Sequence, residues 1–214
     1  MFLDVERVSG NLKSQPFSVG LIAVWSDSGI VVEKKQIVIM PEEGVKVDQY
    51  ASKYIHRMFV KGRGRNRKVM MLGREISDKP THLPSVKPEE AAEKIIEFIK
   101  RVGSDTLLFH GEDMLCMDPF MGSYGKEDEW RRYSKYRVNT GEFFKKVQRE
   151  INVSKFKMSV ITKQYGWPAV QALYEEGQLG ALVDAEVLSM LCCGKESSLR
   201  IRFGHWLSLA RWID

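Results

Sequence analysis

The first 40 residues contain three strand-like runs, FLDVERV at residues 2–8, FSVGLIAVW at residues 17–25 and IVVEKKQIVIM at residues 30–40. Each run is rich in β-branched or aromatic residues, and Ser26-Asp27-Ser28-Gly29 is typical of a turn. Pro41 ends the third run. Because consecutive strands with short connections usually pair antiparallel, this stretch predicts an antiparallel meander that starts the fold.

A helix and a short buried strand are predicted next. The segment from Lys87 to Arg101 predicts a helix, because apolar residues recur at helical spacing at Ala91, Ala92, Ile95, Ile96 and Ile99. An extended connector is predicted before it, with prolines at positions 80, 84 and 88. Thr106 to Phe109 predicts a strand, and the order strand, helix, strand implies that it lies parallel to a neighbour.

The remaining segments complete an α/β fold. Further helices are predicted at residues 46–60, Thr140 to Ile151, Lys157 to Tyr165 and Ala181 to Cys192. We therefore expect a mixed β-sheet, antiparallel over its first three strands and then parallel, flanked by helices. Residues 1–214 are expected to form a single domain, with a basic loop at 57–74 and an insertion at 122–138.

Composition is typical of a globular protein of 214 residues, with 43% hydrophobic and 29% charged residues. Three cysteines, two of them adjacent (Cys192 and Cys193), do not make a disulfide framework. A reducing intracellular compartment, cytoplasmic or nuclear, is therefore expected. No run approaches the roughly 20 apolar residues of a membrane span, and the N-terminus lacks a signal-peptide pattern, so no membrane partner is expected.

Positive charge is concentrated between residues 57 and 74, which hold seven basic residues and no acidic one. Arg63, Arg65, Arg67 and Lys68 are the candidate nucleic-acid contacts. Basic side chains that neutralise phosphates gain affinity through counterion release, which salt weakens. The alternative interpretation is a solvated, mobile loop without a ligand.

Carboxylates distant in sequence are the candidate metal ligands. Asp4 and Glu6 are two residues apart on a predicted strand and therefore share one face. Asp184 lies inside an otherwise apolar helix, between Val183 and Ala185. Metal-dependent phosphodiester cleavage requires several carboxylates that converge on divalent cations. We therefore expect these three acids to meet at the edge of one sheet.

These segments, in their order and spacing, resemble the DEDD superfamily of 3′–5′ exonucleases, particularly the DnaQ-like branch with the ribonuclease H-like fold. Phe2 to Glu6 is similar to the first motif of that family. Ile161 to Gly166 is similar to the helix end before the third motif, and Gly180 to Ala185 to the third motif itself. The resemblance spans the whole chain. It implies a two-metal site for Mg²⁺ or Mn²⁺ and single-stranded RNA or DNA as the substrate.

The family's second motif follows a strand as His-Asn and then an Asp in the next helix turn. Here a predicted strand leads to His110 and Gly111, and the Asp position of the family falls near Leu115. Asp113 is the preferred candidate for this carboxylate because it lies closest to the strand end. Asp118 is the second candidate, and an arrangement in which neither acid reaches the metal is the remaining alternative.

The third motif departs from the family at the general base. In the His-type branch a His lies five residues before the Asp, which here is Leu179, and in the Tyr-type branch the position is Gly180. Neither residue can accept a proton, and the loss of a positioned base typically costs about 10²–10⁴ in rate. Proton acceptors from another direction would be His205, His110 or Tyr174.

Two functions follow from these observations. The first is a 3′–5′ exonuclease on RNA or DNA, in which the basic loop guides the strand and Mg²⁺ or Mn²⁺ is held by Asp4, Glu6, Asp113 and Asp184. The second is a catalytically inactive exonuclease-like module that binds nucleic acid or a protein partner, or forms a homo-oligomer. The three retained acids favour the first function, and the missing base favours the second.

Three smaller hypotheses concern cysteines and aromatic residues. A structural zinc site would be formed by Cys116, Cys192, Cys193 and His205. Adjacent helical cysteines point about 100° apart, which disfavours it. Trp130 and Tyr133 either stack on bases or pack on the core from a half-buried helix. The segment from Phe203 to Trp212 either closes the core or forms an interface.

Overall fold

The structure is a computed structural model and describes residues 1–9, 11, 14–25, 27–48, 58–71, 80–104, 106–151, 180–195, 197 and 199–210. Its first three strands are β1 (Phe2–Arg7), β2 (Pro16–Val24) and β3 (Val31–Val38). Both neighbouring pairs are antiparallel, which confirms the predicted meander. Its middle strand is almost entirely buried, as expected for a continuous apolar run.

A second, smaller antiparallel sheet was not predicted. It consists of β4 (Met58–Lys61), β5 (Lys68–Met71) and β6 (Thr81–Leu83). Its core-facing residues pack against the end of the main sheet in a cluster of Val8, Phe17, Val38, Met58 and Val69.

Two local predictions are wrong in this region. Residues 58–71 of the expected basic loop form a hairpin of β4 and β5, with a short 3-10 turn at Gly64–Asn66. Residues 46–48 are not helical and residues 58–60 are a strand, so the helix predicted over 46–60 is absent from these described residues. The reason is that apolar residues recur here at every second position. Met58 and Val60 both face the same core, as alternate residues of a strand do.

Six helices are described in the rest of the chain. They are α1 (Pro88–Val102), α2 (Asp113–Ser123), α3 (Glu127–Tyr133), α4 (Thr140–Ile151), α5 (Gly180–Cys193) and α6 (Arg200–Ala210). The helices predicted near α1, α4 and α5 are confirmed. The helix predicted at Lys157 to Tyr165 lies outside the described residues.

Two parallel strands complete the main sheet. They are β7 (Thr106–Phe109) and β8 (Tyr136–Asn139), and the strand order is β3-β2-β1-β7-β8. The predicted parallel placement of β7 is confirmed on both sides, against β1 and β8. Residues 122–138 were expected as an insertion, but they contain α3 and most of β8. This segment therefore contributes to the main sheet and not only to the surface.

Helices cover both faces of this mixed sheet, which gives three layers. Leu3 and Val5 of β1 point into a core formed with α1, α2 and α3. Phe2 points to the opposite face, into a core formed with α4, α5 and α6. Because side chains alternate along a strand, Asp4 and Glu6 follow Phe2 onto the face covered by α5. Among the described helices, none is both long enough and apolar enough to cross a membrane.

Candidate metal centre at the edge of the sheet

Three carboxylates from two distant segments meet on this face. Asp4 and Glu6 come from β1, and Asp184 comes from the second turn of α5. Each offers a carboxylate oxygen, and these oxygens all lie within 4.8 Å of one another. All three side chains are partly exposed, so the cluster opens to solvent. The predicted convergence of residues 4, 6 and 184 is therefore confirmed as geometry.

A glycine in β2 lets α5 approach this closely. Gly20 lies directly opposite Asp4 across the β1–β2 pair. A Cβ atom at this position would lie 2.3 Å from the carbonyl oxygen of Ala181 and 2.5 Å from the amide nitrogen of Leu182. Both are backbone atoms of the first turn of α5, so any other residue at position 20 would push this helix away from the sheet.

The first residue of α5 is also a glycine with a close neighbour. A Cβ atom at Gly180 would lie 2.5 Å from Oε1 of Glu6. The start of α5 therefore lies directly against one carboxylate of the cluster, and a larger side chain at position 180 would displace Glu6.

Sequence reasoning missed both glycines. A single glycine inside the apolar run at residues 17–25 is the signal that could have identified Gly20, because such a residue often marks a close backbone approach.

Asp113 is a further acid whose charge interacts with the cluster. It is the first residue of α2, directly after the turn that follows β7, and the residue is 7% exposed. Its Oδ2 atom is buried and has no hydrogen-bond partner among the described residues. Burial raises the pKa of Asp113 well above its usual range, with Glu6 and Asp184 adding to the effect, while Arg7 and a backbone hydrogen bond with His110 oppose it.

The electrostatics of Asp4 show how crowded the negative charge is. Burial raises the pKa of Asp4 well above its usual range, and the carboxylates of Asp113, Asp184 and Glu6 raise it further. The charge of Arg7 opposes this shift but does not cancel it. Like-charged carboxylates at this separation require either a bound proton or a cation to be stable together.

Asp118, the alternative second-motif acid, has other partners. Its carboxylate accepts hydrogen bonds from Nη1 of Arg137 at 2.8 and 2.9 Å and from Nε1 of Trp130 at 2.7 Å. Within the described part of the chain, the group of close carboxylates contains Asp4, Glu6 and Asp184, and neither Asp113 nor Asp118 belongs to it. Of these two acids, Asp113 is the one whose charge acts on Asp4, whereas Asp118 is paired with Arg137.

No general base is present among the described residues of α5 at the position where the family has one. Position 180 is a glycine at the start of this helix. Leu179, Tyr174 and the segment from Ile161 to Gly166 lie outside the described residues. His205 is an exposed residue of α6.

The candidate nucleic-acid contacts lie on the β4–β5 hairpin. Arg63, Arg65 and Lys68 are exposed, and Arg67 is half-buried. Nη2 of Arg67 donates a long hydrogen bond of 3.5 Å to the carbonyl oxygen of Glu42. These residues form a local, solvent-facing set of positive charges, in contrast to the partly enclosed acids.

The described residues do not support the zinc hypothesis. Cys116 packs in the core under α1 and α2, whereas Cys192 and Cys193 pack in the core on the other face of the sheet. Burial raises the pKa of Cys116 to about 12, so its thiol stays protonated and is a poor metal ligand.

Two aromatic residues, Trp130 and Phe203, pack in the hydrophobic cores. Trp130 is fully buried in the core under α1 and α2, with Tyr133 packed against the same core, so Trp130 cannot stack on bases. Phe203 is buried in the opposite core, where its ring packs edge-on against Phe143 and tilted against Trp206.

Comparison with protein-family models, with curated protein sequences and with solved structures found no match.

The donor set fits a hard divalent cation. Carboxylate oxygens are the ligands that Mg²⁺ and Mn²⁺ prefer in proteins. The buried Oδ2 of Asp113 and the raised pKa of Asp4 both indicate negative charge that a cation would balance. The residues that could hold such an ion are Asp4, Glu6 and Asp184, with Asp113 beside them.

Proposed function

We propose that this protein is a metal-dependent 3′–5′ exonuclease that acts on single-stranded RNA or DNA and has a ribonuclease H-like fold. The observation that carries the proposal is the meeting of Asp4 and Glu6 of β1 with Asp184 of α5, with carboxylate oxygens within 4.8 Å of one another. The strand order, antiparallel over β1 to β3 and then parallel, agrees with the fold that the sequence resemblance implies.

In this proposal the acids hold Mg²⁺ or Mn²⁺. When bound, the cations supply charge neutralisation at the scissile phosphate and a more acidic water. Asp4 and Glu6 are fixed in direction by β1, and Asp184 is fixed by the packing of α5 over Gly20. Asp113 completes the negative pocket from the start of α2. Together these residues bind the ions and orient the phosphodiester at the edge of the sheet.

The basic hairpin supplies the affinity for the strand. Arg63, Arg65 and Lys68 are exposed, and the described part of this hairpin carries no acidic side chain. Contacts of this kind attract any phosphate backbone and do not read sequence. The hairpin therefore accounts for binding of RNA or DNA, and the acidic site for the chemistry.

The test is a cleavage assay on 5′-labelled single-stranded RNA and DNA, with Mn²⁺, with Mg²⁺ and with chelator. We expect a ladder of products shortened from the 3′ end that requires the cation and is lost in Asp4→Asn. Asp118→Asn is the matched control, because this acid pairs with Arg137 away from the cluster. An absence of metal-dependent cleavage in the wild-type protein would contradict the enzymatic proposal.

A second candidate function is an inactive exonuclease-like module that binds nucleic acid. One observation favours it, namely that the Tyr-type position at the start of α5 is Gly180, which lies against Glu6 and offers no proton acceptor. This candidate predicts strand binding that weakens with salt and with substitution of Arg63, Arg65 and Arg67, but no cleavage. The same labelled strands in a binding assay separate the two functions.

A further inference from the structure

We propose that His110 is the general base that accepts the proton of the attacking water, in place of the residue missing at the start of α5. The proposal rests on the proposed exonuclease function and deepens it by assigning one role at the same site.

The position of His110 follows from strand pairing. Strands β1 and β7 are parallel, and Phe2 is paired with Leu108. Strand β7 ends at Phe109, and His110 is the next residue along the chain. A backbone hydrogen bond joins His110 to Asp113, and the charge of Asp113 acts on Asp4. His110 therefore lies at the end of β7, beside an acid that interacts with the cluster.

The imidazole lies on the face of the sheet that carries the acids. Its ring centroid is 5.9 Å from that of Phe144 in α4, and α4 covers the same face as α5. Phe2 and Leu108 point into that core, and the alternation of side chains places Asp4 and His110 on the same side.

A hydrogen-bond chain fixes the tautomer of the ring. Oγ1 of Thr140 lies 2.8 Å from the carbonyl oxygen of Phe109, and only the hydroxyl can donate in this pair. The same Oγ1 lies 3.2 Å from Nδ1 of His110. Because the hydroxyl proton is already used, Nδ1 must donate, and Nε2 is the nitrogen that keeps its lone pair. This is the tautomer that a general base needs.

The turn that carries His110 is held rigidly. Asn139, at the end of β8, donates from Nδ2 to the carbonyl oxygen of Gly111 at 2.9 Å and accepts from the amide of Gly111 at 3.2 Å. Gly111 has φ of 73°, a conformation that favours glycine. His110 is therefore positioned by two neighbouring residues, Asn139 and Thr140, before any ligand binds.

His110 is also separate from the ligand group. Among the His, Cys, Asp and Glu side chains of the described residues, the group within 4.8 Å consists of Asp4, Glu6 and Asp184. In this proposal His110, which is outside that group, contacts the attacking water and does not bind the ions.

The reaction balances without another reactant. The water oxygen forms a bond to phosphorus as its proton passes to Nε2 of His110. The bond between phosphorus and the 3′ oxygen breaks, and its electron pair leaves on that oxygen, which takes a proton from solvent. The products are a nucleoside 5′-monophosphate and a strand with a 3′ hydroxyl, and the imidazolium returns its proton to bulk water.

The test is single-turnover cleavage of a 5′-labelled strand at saturating Mn²⁺ by His110→Ala and His110→Gln. We expect both variants to lose about 10²–10⁴ in cleavage rate, as for a lost general base. The dissociation constants for Mn²⁺ and for the strand should stay within about twofold of wild type, because only a transition-state interaction is removed. Added imidazole should restore part of the rate to His110→Ala.

Controls separate this role from a structural one. His82→Ala removes an exposed histidine of β6 and should leave the rate unchanged. Thr140→Val should lower the rate and Thr140→Ser should retain it, because only the hydroxyl orients Nδ1. His110→Gln and thermal melting of each variant show whether a rate loss follows from misfolding.

The possible results are distinct. A wild-type rate in both His110 variants overturns this proposal and leaves the proposed function intact. A rate loss matched by an equal loss of Mn²⁺ affinity, or no rescue by imidazole, also overturns it. An absence of cleavage by the wild-type protein removes the proposed function and this inference together.

Discussion

The acidic cluster and the basic hairpin are built in opposite ways. The cluster joins Asp4, Glu6 and Asp184 from segments almost 180 residues apart, in a partly enclosed edge of the sheet. The hairpin carries its charges within residues 61–68, and most of them are exposed. Burial and, after it, the neighbouring carboxylates raise the pKa of Asp4, whereas the charges of the hairpin are solvated.

This difference predicts how each region responds to change. The cluster depends on exact packing between a strand and a helix, so single substitutions should have large effects on ion binding. The hairpin depends on the number of charges, so its contribution should decrease gradually as charges are removed. Chemistry that needs fixed geometry is placed where tertiary contacts are dense, and nonspecific attraction where they are sparse.

Asp184→Asn should have the largest effect. It removes one ligand charge, and we expect Mn²⁺ affinity to fall by more than about 100-fold, beyond the usual cost of losing a residue that only supports a ligand. The metal-free melting temperature should rise, because mutual repulsion decreases. Calorimetric titration and thermal melting measure both. Glu186→Gln, on the same helix but paired with Lys34 at 3.3 Å, is the control that should retain Mn²⁺ binding.

Gly20→Ala should have the next largest effect. The new methyl group meets the backbone of Ala181, so α5 must shift and carry Asp184 away from β1. We expect a loss of about 1–3 kcal/mol in the free energy of unfolding, typical of overpacking. Mn²⁺ affinity should fall as well.

Gly204→Ala is the matched control for this substitution. Gly204 is an exposed position of α6 at which an added Cβ would meet no atom within 4 Å, and the change should be neutral or stabilising. Equal stability and Mn²⁺ affinity in Gly20→Ala and the wild type would contradict the packing argument.

The pH dependence of stability provides a smaller effect of defined sign. Asp4 has a higher pKa in the folded protein than its ordinary value of 3.8, so the folded state binds more protons above that pH. The contribution of Asp4 to the free energy of unfolding is therefore complete below the ordinary pKa of this carboxyl group. It is lost as the pH rises through the pKa that Asp4 has in the folded protein. Without metal, the free energy of unfolding contributed by Asp4 should fall over this range.

Denaturant unfolding at several pH values measures this contribution as the difference between wild type and Asp4→Asn. Saturating Mn²⁺ should remove the decrease, since the bound ion favours the ionised carboxylates. A wild-type protein that gains stability relative to Asp4→Asn over the same range would show that Asp4 is not crowded by charge.

The smallest effect on folding should come from the hairpin. The combined substitution of Arg63, Arg65 and Arg67 by Ala should change the free energy of unfolding by no more than about 0.5 kcal/mol, as expected for surface positions. The salt dependence of strand binding should become shallower by about 0.7 in log–log slope for each lost phosphate contact.

Fluorescence anisotropy over a series of salt concentrations measures this slope. Replacement of three other exposed basic residues, Arg131, Lys145 and Lys146, is the charge-matched control and should leave the slope unchanged. If the salt dependence of strand binding became equally shallower in both triple variants, binding would depend on net charge and not on the hairpin.

Much of the fold could be predicted from the sequence, because most strands and helices follow from the spacing of apolar residues and from turn residues within one segment. The meander of β1 to β3, the helix α1 and the strand β7 were expected near the observed bounds. The small sheet and β8 were not expected. Their strands have three or four residues each, too few to show an alternating apolar pattern. Whether such short segments become strands depends on the neighbours that they pack against in the folded protein.

The candidate site was likewise predictable in part, where its geometry depends on one segment of the chain. That Asp4 and Glu6 share a face follows from the two-residue period of one strand, without any tertiary information. Asp113 and Asp118 both belong to α2, so spacing along the chain does not separate them. Their partners differ, because Arg137 and Trp130, which lie further along the chain, bond Asp118, whereas the charge of Asp113 acts on Asp4.

The sequence by itself determined which residues are acidic, which face of β1 they share and where most strands and helices lie, because these properties depend on spacing along one segment. The meeting of Asp184 with Asp4 was predicted, but the tertiary structure alone decided that Gly20 allows α5 to approach and that Thr140 bonds the ring of His110. Contacts between segments depend on how closely backbones pack, and that distance is not encoded in any single segment.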